Sequence, residues 1–300
     1  MIEFKNIELN DRELFERYLG QYSYNTYEYS FTTLYMWKEM CNVSYTFIDN
    51  SLVIRKKEAH KGEYFMPPVG IHNSSIESIV DNLNMYKKQT TDMNYLFGDV
   101  EEAFLEKLKS IYGSRLKYTE DINNFDYIYS VDELINLSGK KYHGKKNHYN
   151  KFVKTYDYEI KDIYLDEGAA CDAIDFDKKW NFNQEDLTPE LRYELKAIKD
   201  LLINREKLNI EGMAVYVNGN MVGFSIGEKV NNKMGIIHVE KGDANYDGIY
   251  AFINREFLKR YFSSVTYVNR EEDLGIEGLR KAKSSYNPVK LERKYLVNIE

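Results

Sequence analysis

The sequence predicts an α/β protein built as two tandem domains, each a mixed sheet flanked by helices. Stretches of alternating apolar residues are interleaved with helix-period stretches along the whole chain. The 300 residues amount to roughly two ordinary domain lengths. One rhythm, helix then hairpin then alternating helix and strand, runs through both halves, and the 4 prolines leave no proline-rich linker between them. The expected division is 1–129 and 130–300.

In the first half a helical stretch from Asp11 to Met40 leads to a hairpin, Val43–Ile48 and Leu52–Lys57, turned at Asp49-Asn50-Ser51. A helix over Ser75–Lys88, a short strand at Tyr95–Phe97, an amphipathic helix over Glu101–Tyr112 and an extended stretch from Arg115 to Tyr129 follow. The second half opens on Ser130-Val-Asp-Glu133, a capping box. A basic helix over Lys141–Lys154, a strand at Tyr158–Tyr164 and helices near Ala169–Asn181 and Pro189–Lys207 come next, the last begun by Thr188 and a first-turn proline. Three antiparallel strands, Met213–Val217, Met221–Val230 and Met234–Glu240, are marked by Asn218-Gly219, a strong short hairpin signal. A helix at Ile249–Phe262, a strand at Val265–Asn269, a helix at Ile276–Ser285 and a last strand at Lys290–Ile299 complete the half. Two helices before a three-stranded meander, then helix, strand, helix and strand, is the element order of the acyl-CoA N-acyltransferase fold. The first half approximates it.

Composition excludes some function classes. A net charge of -7 argues against a surface given over wholly to nucleic acid, while leaving room for local basic patches. Apolar residues at 43% exclude wholesale disorder. Cys41 and Cys171 are spaced neither as a disulfide framework nor as metal ligands. No apolar run approaches about 18 residues and the start has no leader-like apolar region, so a cytoplasmic protein is expected. Tyrosine is in excess, at 27 of 300 residues, which suits half-polar pocket walls as well as packing.

The run from Val268 to Pro288, VNREEDLGIEGLRKAKSSYNP, with His238-Val-Glu-Lys-Gly-Asp243, Gly144-Lys-Lys-Asn-His148 and the segment Tyr27 to Trp37, resembles a bacterial family related to the C-terminal domain of phosphatidylglycerol lysyltransferase. The resemblance covers most of the chain. It implies two tandem acyltransferase-like domains, relatives of the peptidoglycan-bridge aminoacyltransferases, which move an amino acid from aminoacyl-tRNA to an amine or hydroxyl of a small-molecule, lipid or peptide acceptor. The multi-spanning membrane portion of the lysyltransferase has no counterpart in this sequence, which leaves the lipid acceptor open.

From Leu134 to Tyr156 there is no acidic residue. On a helix there, Tyr142, Tyr149, Val153 and Tyr156 form an inner stripe, leaving Lys141, Lys145 and His148, with Lys146 nearby, to meet a tRNA phosphate or simply water. The turn Gly242 to Gly248 precedes a helix, where acetyltransferases bind the diphosphate of coenzyme A. Asp243 and Asp247 would repel that diphosphate, so acyl-CoA is the less favoured donor. Asn269, Glu271 and Asp273 end a strand ahead of a helix, a placement suited to chemistry. Glu271 or Asp273 would hold an ammonium or accept a proton, or Asp273 would merely cap the helix. Arg280, Lys283 and Tyr286 lie one turn apart and would hold a carboxylate or phosphate, or pair with Glu271 and Glu277. His238 and Glu240 alternate on one strand and are expected on one face, Glu240 as general base. Gly223-Phe-Ser-Ile-Gly227 matches the serine-hydrolase elbow in letters only, because the motif lies inside a strand that another strand follows.

Overall fold

A computed structural model describes residues 2–21, 25–70, 76–89, 93–182 and 188–300. The chain divides into two compact units, Met1–Phe125 with Glu292–Glu300, and Asp126–Leu291.

In the first unit the strands are β1 (Lys5–Asn6), β2 (Ser44–Ile48), β3 (Ser51–Glu58), β4 (Gly62–Phe65), β5 (Phe97–Val100) and β6 (Leu116–Glu120), and the helices α1 (Arg12–Leu19), α2 (Phe31–Met36), α3 (Ile76–Lys88) and α4 (Glu102–Tyr112). The helical stretch expected over Asp11–Met40 is thus two short helices, and Ser30 caps the second by accepting from Thr33 N–H. Residues of α3 and α4, among them Ile79, Leu83, Leu105 and Leu108, bury their apolar stripes against Val53, Phe65 and Phe97 of the sheet.

The second unit contains β7 (Asp126–Ser130), β8 (Tyr158–Asp162), β9 (Glu211–Val217), β10 (Asn220–Lys229), β11 (Met234–Gly242), β12 (Tyr267–Asn269) and β13 (Lys290–Glu292). Its helices are α5 (Val131–Asn136), α6 (His143–Thr155), α7 (Glu167–Phe182), α8 (Pro189–Ile203), α9 (Arg205–Leu208), α10 (Ile249–Phe257) and α11 (Glu277–Ser284), and the last strand of the chain is β14 (Tyr295–Ile299). The meander β9-β10-β11 falls where its turns predict. Ser130 caps α5 and Thr188 caps α8, with Pro189 in the first turn. Of the expected stripe, Tyr149 and Val153 lie on α6 beside Phe152, with Tyr142 and Tyr156 at its two ends, and together they pack in one apolar cluster with Phe252 and its neighbours on α10.

The two sheets have matching strand orders, β1-β2-β3-β4-β5-β14-β6 and β8-β9-β10-β11-β12-β7-β13. The extended stretch expected over 115–129 is broken by a 3-10 turn at Ile122–Asn124, so its ends belong to different sheets. The last strand divides likewise: β13 joins the second sheet, whereas β14 enters the first between β5 and β6. In the first sheet the strand beside the parallel pair is thus β14, the last of the chain, and in the second it is β7, the first strand of its unit. Sequence pattern specifies that such a segment is extended but not which sheet receives it. Among the described residues no helix is long and apolar enough to cross a membrane.

Candidate active site

In the second sheet β11 and β12 run parallel for three pairs only, Met234 with Tyr267 through Ile236 with Asn269. Beyond Ile236, β11 continues to Gly242 while the segment after β12 turns away through 270–275. The parting opens at the carboxyl ends of both strands, where open α/β sheets hold their ligands. Its β11 side is reshaped by a bulge. Ile226 of β10 pairs with Val239 and Gly227 with Ile237, so His238 is the extra residue. His238 and Glu240 accordingly have separate partners, rather than the common face that plain alternation predicts.

Glu240 accepts from Arg270 Nη2 at 2.8 Å and from Asn254 Nδ2 of α10 at 3.0 Å. The Arg270 guanidinium lies 4.6 Å from the ring centre of Tyr286 and 5.6 Å from that of Tyr129. Its side chain is 12% exposed, and its Nη1 is buried without a hydrogen bond of good geometry among the described residues. Lys145 reaches the same place from α6, its ammonium 3.7 Å from the Tyr286 ring centre. Burial, helped by the charge of Arg270 and opposed by Glu240, pushes that ammonium down to about 8. A guanidinium with a spare donor and a lysine near neutrality thus meet over one tyrosine.

The bulge residue His238 is fully engaged. Its Nδ1 is 3.2 Å from Glu271 Oε1 and its Nε2 3.1 Å from Glu228 Oε1. Burial opposes its charge, but the two carboxylates outweigh burial and lift the imidazole to about 9, so both nitrogens donate at neutral pH. Glu271 itself is pushed upward by burial, with His238 pulling the other way. Its backbone is left-handed at φ 59, and its N–H donates to Asn269 Oδ1 at 2.7 Å. The other end of Asn269 donates to Asp126 at 2.7 Å. Asp273 is 2% exposed and accepts from Tyr127 at 2.6 Å, from Gly275 N–H, and from Arg280 in a forked contact at 2.7 and 2.8 Å. Burial opposes its ionisation, yet these donors hold its carboxyl down to about 2. Lys283 donates to the carbonyls of Arg270 and Glu272. Asn269, Asp273, Arg280 and Lys283 therefore shape the 269–275 turn, which presents Arg270.

A family model described as phosphatidylglycerol lysyltransferase, C-terminal, matches residues 20–298. The chain belongs to this family. The fold agrees. The whole chain superposes on all of a conserved protein of unknown function from Bacteroides thetaiotaomicron with a TM-score of 0.90 and 34% identity. L-PGS from Bacillus licheniformis matches with a TM-score of 0.65 and 15% identity over 96% of this chain and 92% of that one. FemX matches with 0.63 and 11% over 100% and 98%. The last two likenesses are of fold: two tandem acyltransferase-like sheets, as the sequence predicts.

The lysyltransferase-family fold also fixes where the basic helix sends its residues. Lys141 precedes α6 in a 3-10 turn and pairs with Glu133 at 2.9 Å on the surface. Lys146 and His148 are exposed, whereas Lys145 turns inward to Tyr286. The expected grouping of Lys141, Lys145 and His148 is therefore divided, because α6 begins only at His143 and Lys141 does not share its helical phase. Ser225 of the elbow-like run is a buried strand residue donating to Val239 C=O at 2.9 Å. Arg270 and Asn254 were not singled out by sequence reasoning. The signal for Arg270 was its place in the polar run 269–273, while nothing local marks Asn254.

Proposed function

We propose that the second unit transfers an aminoacyl group from aminoacyl-tRNA to an amine or hydroxyl acceptor, where β11 and β12 part. The observation that carries this is the Arg270–Glu240 pair with Lys145 beside it, an oriented donor next to a proton acceptor. The acceptor attacks the ester carbonyl, and the carbonyl oxygen gains negative charge. The Arg270 guanidinium donates to that oxygen, and Glu240 and Asn254 hold it in place. Lys145, uncharged in part near pH 8, takes the acceptor's proton and returns it to the departing ribose oxygen as the ester C–O bond breaks. Glu271 and Asp273 act as positioning residues of the turn in this scheme. Lys146 and His148, exposed on α6, are the contacts proposed for the tRNA backbone.

Support for tRNA over acyl-CoA comes from the start of α10. At Gly248 a β-carbon would stand 2.1 Å from the carbonyl oxygen of His148, so an acceptor oxygen of α6 abuts the helix end where a diphosphate would bind. Asp243 and Asp247 add like charge there, the latter paired with Lys151 at 2.6 Å. The test is release of label from charged tRNAs, lysyl-tRNA first, with amines and phosphatidylglycerol vesicles as acceptors. Acceptor-dependent discharge, lost in Arg270→Ala by about a hundredfold or more, is expected. Discharge by no charged tRNA, or turnover with acetyl-CoA instead, overturns the reading.

A further inference from the structure

The end of β11 carries a cavity of about 540 Å³ lined by Phe176, Lys179, Trp180, Met221, Gly242 to Asn245, and Tyr250. That size is ordinary for a small-ligand site. Its walls are built rather than accidental. The indole N–H of Trp180 and the hydroxyl of Tyr250 both donate to the carbonyl of Gly242, at 3.2 and 2.9 Å. Two rings are thereby fixed with their polar ends used, leaving apolar surface to the cavity. Trp180 also stands against the ammonium of Lys241, 4.6 Å from a ring centre. Lys241 is held in turn by Asp177 at 2.7 Å and Glu194 at 3.1 Å. The indole is thus a preorganised plate. Asn245 commits its backbone and side-chain N–H groups to Asp243, at 2.9 and 2.8 Å, which leaves its amide oxygen for a ligand's N–H.

The cavity adjoins the reaction centre. Gly242 follows Glu240 by two strand residues, roughly 7 Å. Tyr250 precedes Asn254 by one helical turn, roughly 5–6 Å. The cavity therefore shares β11 with Glu240 and α10 with Asn254, the residues that hold Arg270. We propose that this cavity takes the terminal adenine of the aminoacyl-tRNA, stacked on Trp180, with Lys179 toward the adjoining phosphate; the assignment rests on the transfer reading above. Aromatic plates bind bases through their π-faces, the exocyclic amine of adenine suits the oxygen of Asn245, and its ribose carries the ester to Arg270.

The chain has two tryptophans, Trp37 and Trp180, so in Trp37→Phe the fluorescence reports Trp180 alone. The probe is a hydrolysis-resistant 3′-aminoacylamino-adenosine, with the cytidine analogue and coenzyme A as comparisons. Saturable quenching by the adenosine compound, at least tenfold weaker with the other two, is expected. Ala244 is exposed on the cavity's loop, so Ala244→Trp blocks the space without disturbing the core. On the Trp37→Phe,Trp180→Phe background it should weaken binding of the compound at least tenfold by calorimetry, and alone it should raise KM for charged tRNA with little change in kcat. Equal quenching by adenosine and cytidine compounds, tighter binding of coenzyme A, or an unchanged KM in Ala244→Trp overturns the proposal. The two claims fail separately. Binding of the adenosine compound without discharge of any charged tRNA sinks transfer and spares the cavity, whereas discharge that ignores Ala244→Trp sinks the cavity and spares transfer.

Discussion

The two units repeat one strand order and treat the same place in it in opposite ways. Two residues past the last parallel pair, each has an acid in the left-handed region: Asp99, φ 54, beyond Phe97, and Glu271, φ 59, beyond Asn269. In the first unit that acid closes a buried ion network. Asp99 accepts from Lys56 at 2.8 Å, Lys61 at 3.2 Å and Tyr64 at 2.8 Å, and Glu58 joins both lysines at 3.1 and 2.9 Å. The ring of Tyr64 lies across Gly98, where a β-carbon would stand 2.6 Å from it. In the second unit the acid meets a histidine, the neighbouring arginine keeps a spare donor, and a cavity lies at the end of β11. A topology that parts two strands only offers a site. Charges that satisfy one another fill it, and charges left with a spare donor keep it available for chemistry.

The sharpest way to break this contrast is Asp99→Asn. The amide tolerates the left-handed backbone but leaves Lys56 and Lys61 short of their shared counter-ion, so a loss of about 3–5 kcal/mol is expected in urea unfolding. A loss below about 1 kcal/mol would mean that the network does not seal the first unit. Next comes His238→Gln. Because the folded imidazole titrates at about 9 against an ordinary 6.5, its contribution is complete below 6.5 and disappears as pH rises through 9. Wild-type protein should therefore lose about 3 kcal/mol between pH 6 and 10 that the variant does not, an order-of-magnitude figure shared with Glu228 and Glu271. Parallel stability curves for the two proteins would remove the charged histidine from the account. Gly248→Ala, strained at φ 89 and pressed on His148, should cost about 1–3 kcal/mol and shift the melting of the second unit. Least affected should be Lys151→Ala, whose pair with Asp247 is exposed, with no resolvable change in the same unfolding assay.

Much of this was legible in the sequence where the signal is local. Asn218-Gly219 placed the meander, Thr188-Pro189 placed α8, and the tyrosine spacing gave the buried stripe of α6. Family membership followed from the 268–288 run, whose polar residues prove to be the bonded framework of one turn. What escaped was settled by pairing at long range. No local pattern tells β14 to cross to the first sheet, and the bulge at His238 depends on the register of β10 against β11. Lys145 and Lys141 look alike as letters, yet one is drawn inward by Tyr286 and the other stays with Glu133. Trp180 was passed over because a lone aromatic on a helix is usually packing, and its fixed orientation depends on the carbonyl of Gly242, 62 residues away.

The central claim is that donor chemistry belongs to the second unit. Hydrogen–deuterium exchange of the full chain with and without the 3′-aminoacylamino-adenosine locates binding without requiring turnover. Protection should appear in 240–254 and 269–273 and leave 56–66 and 97–101 unchanged. Protection centred on the first unit's Lys56, Lys61 and Asp99, or none at saturating compound, would contradict it.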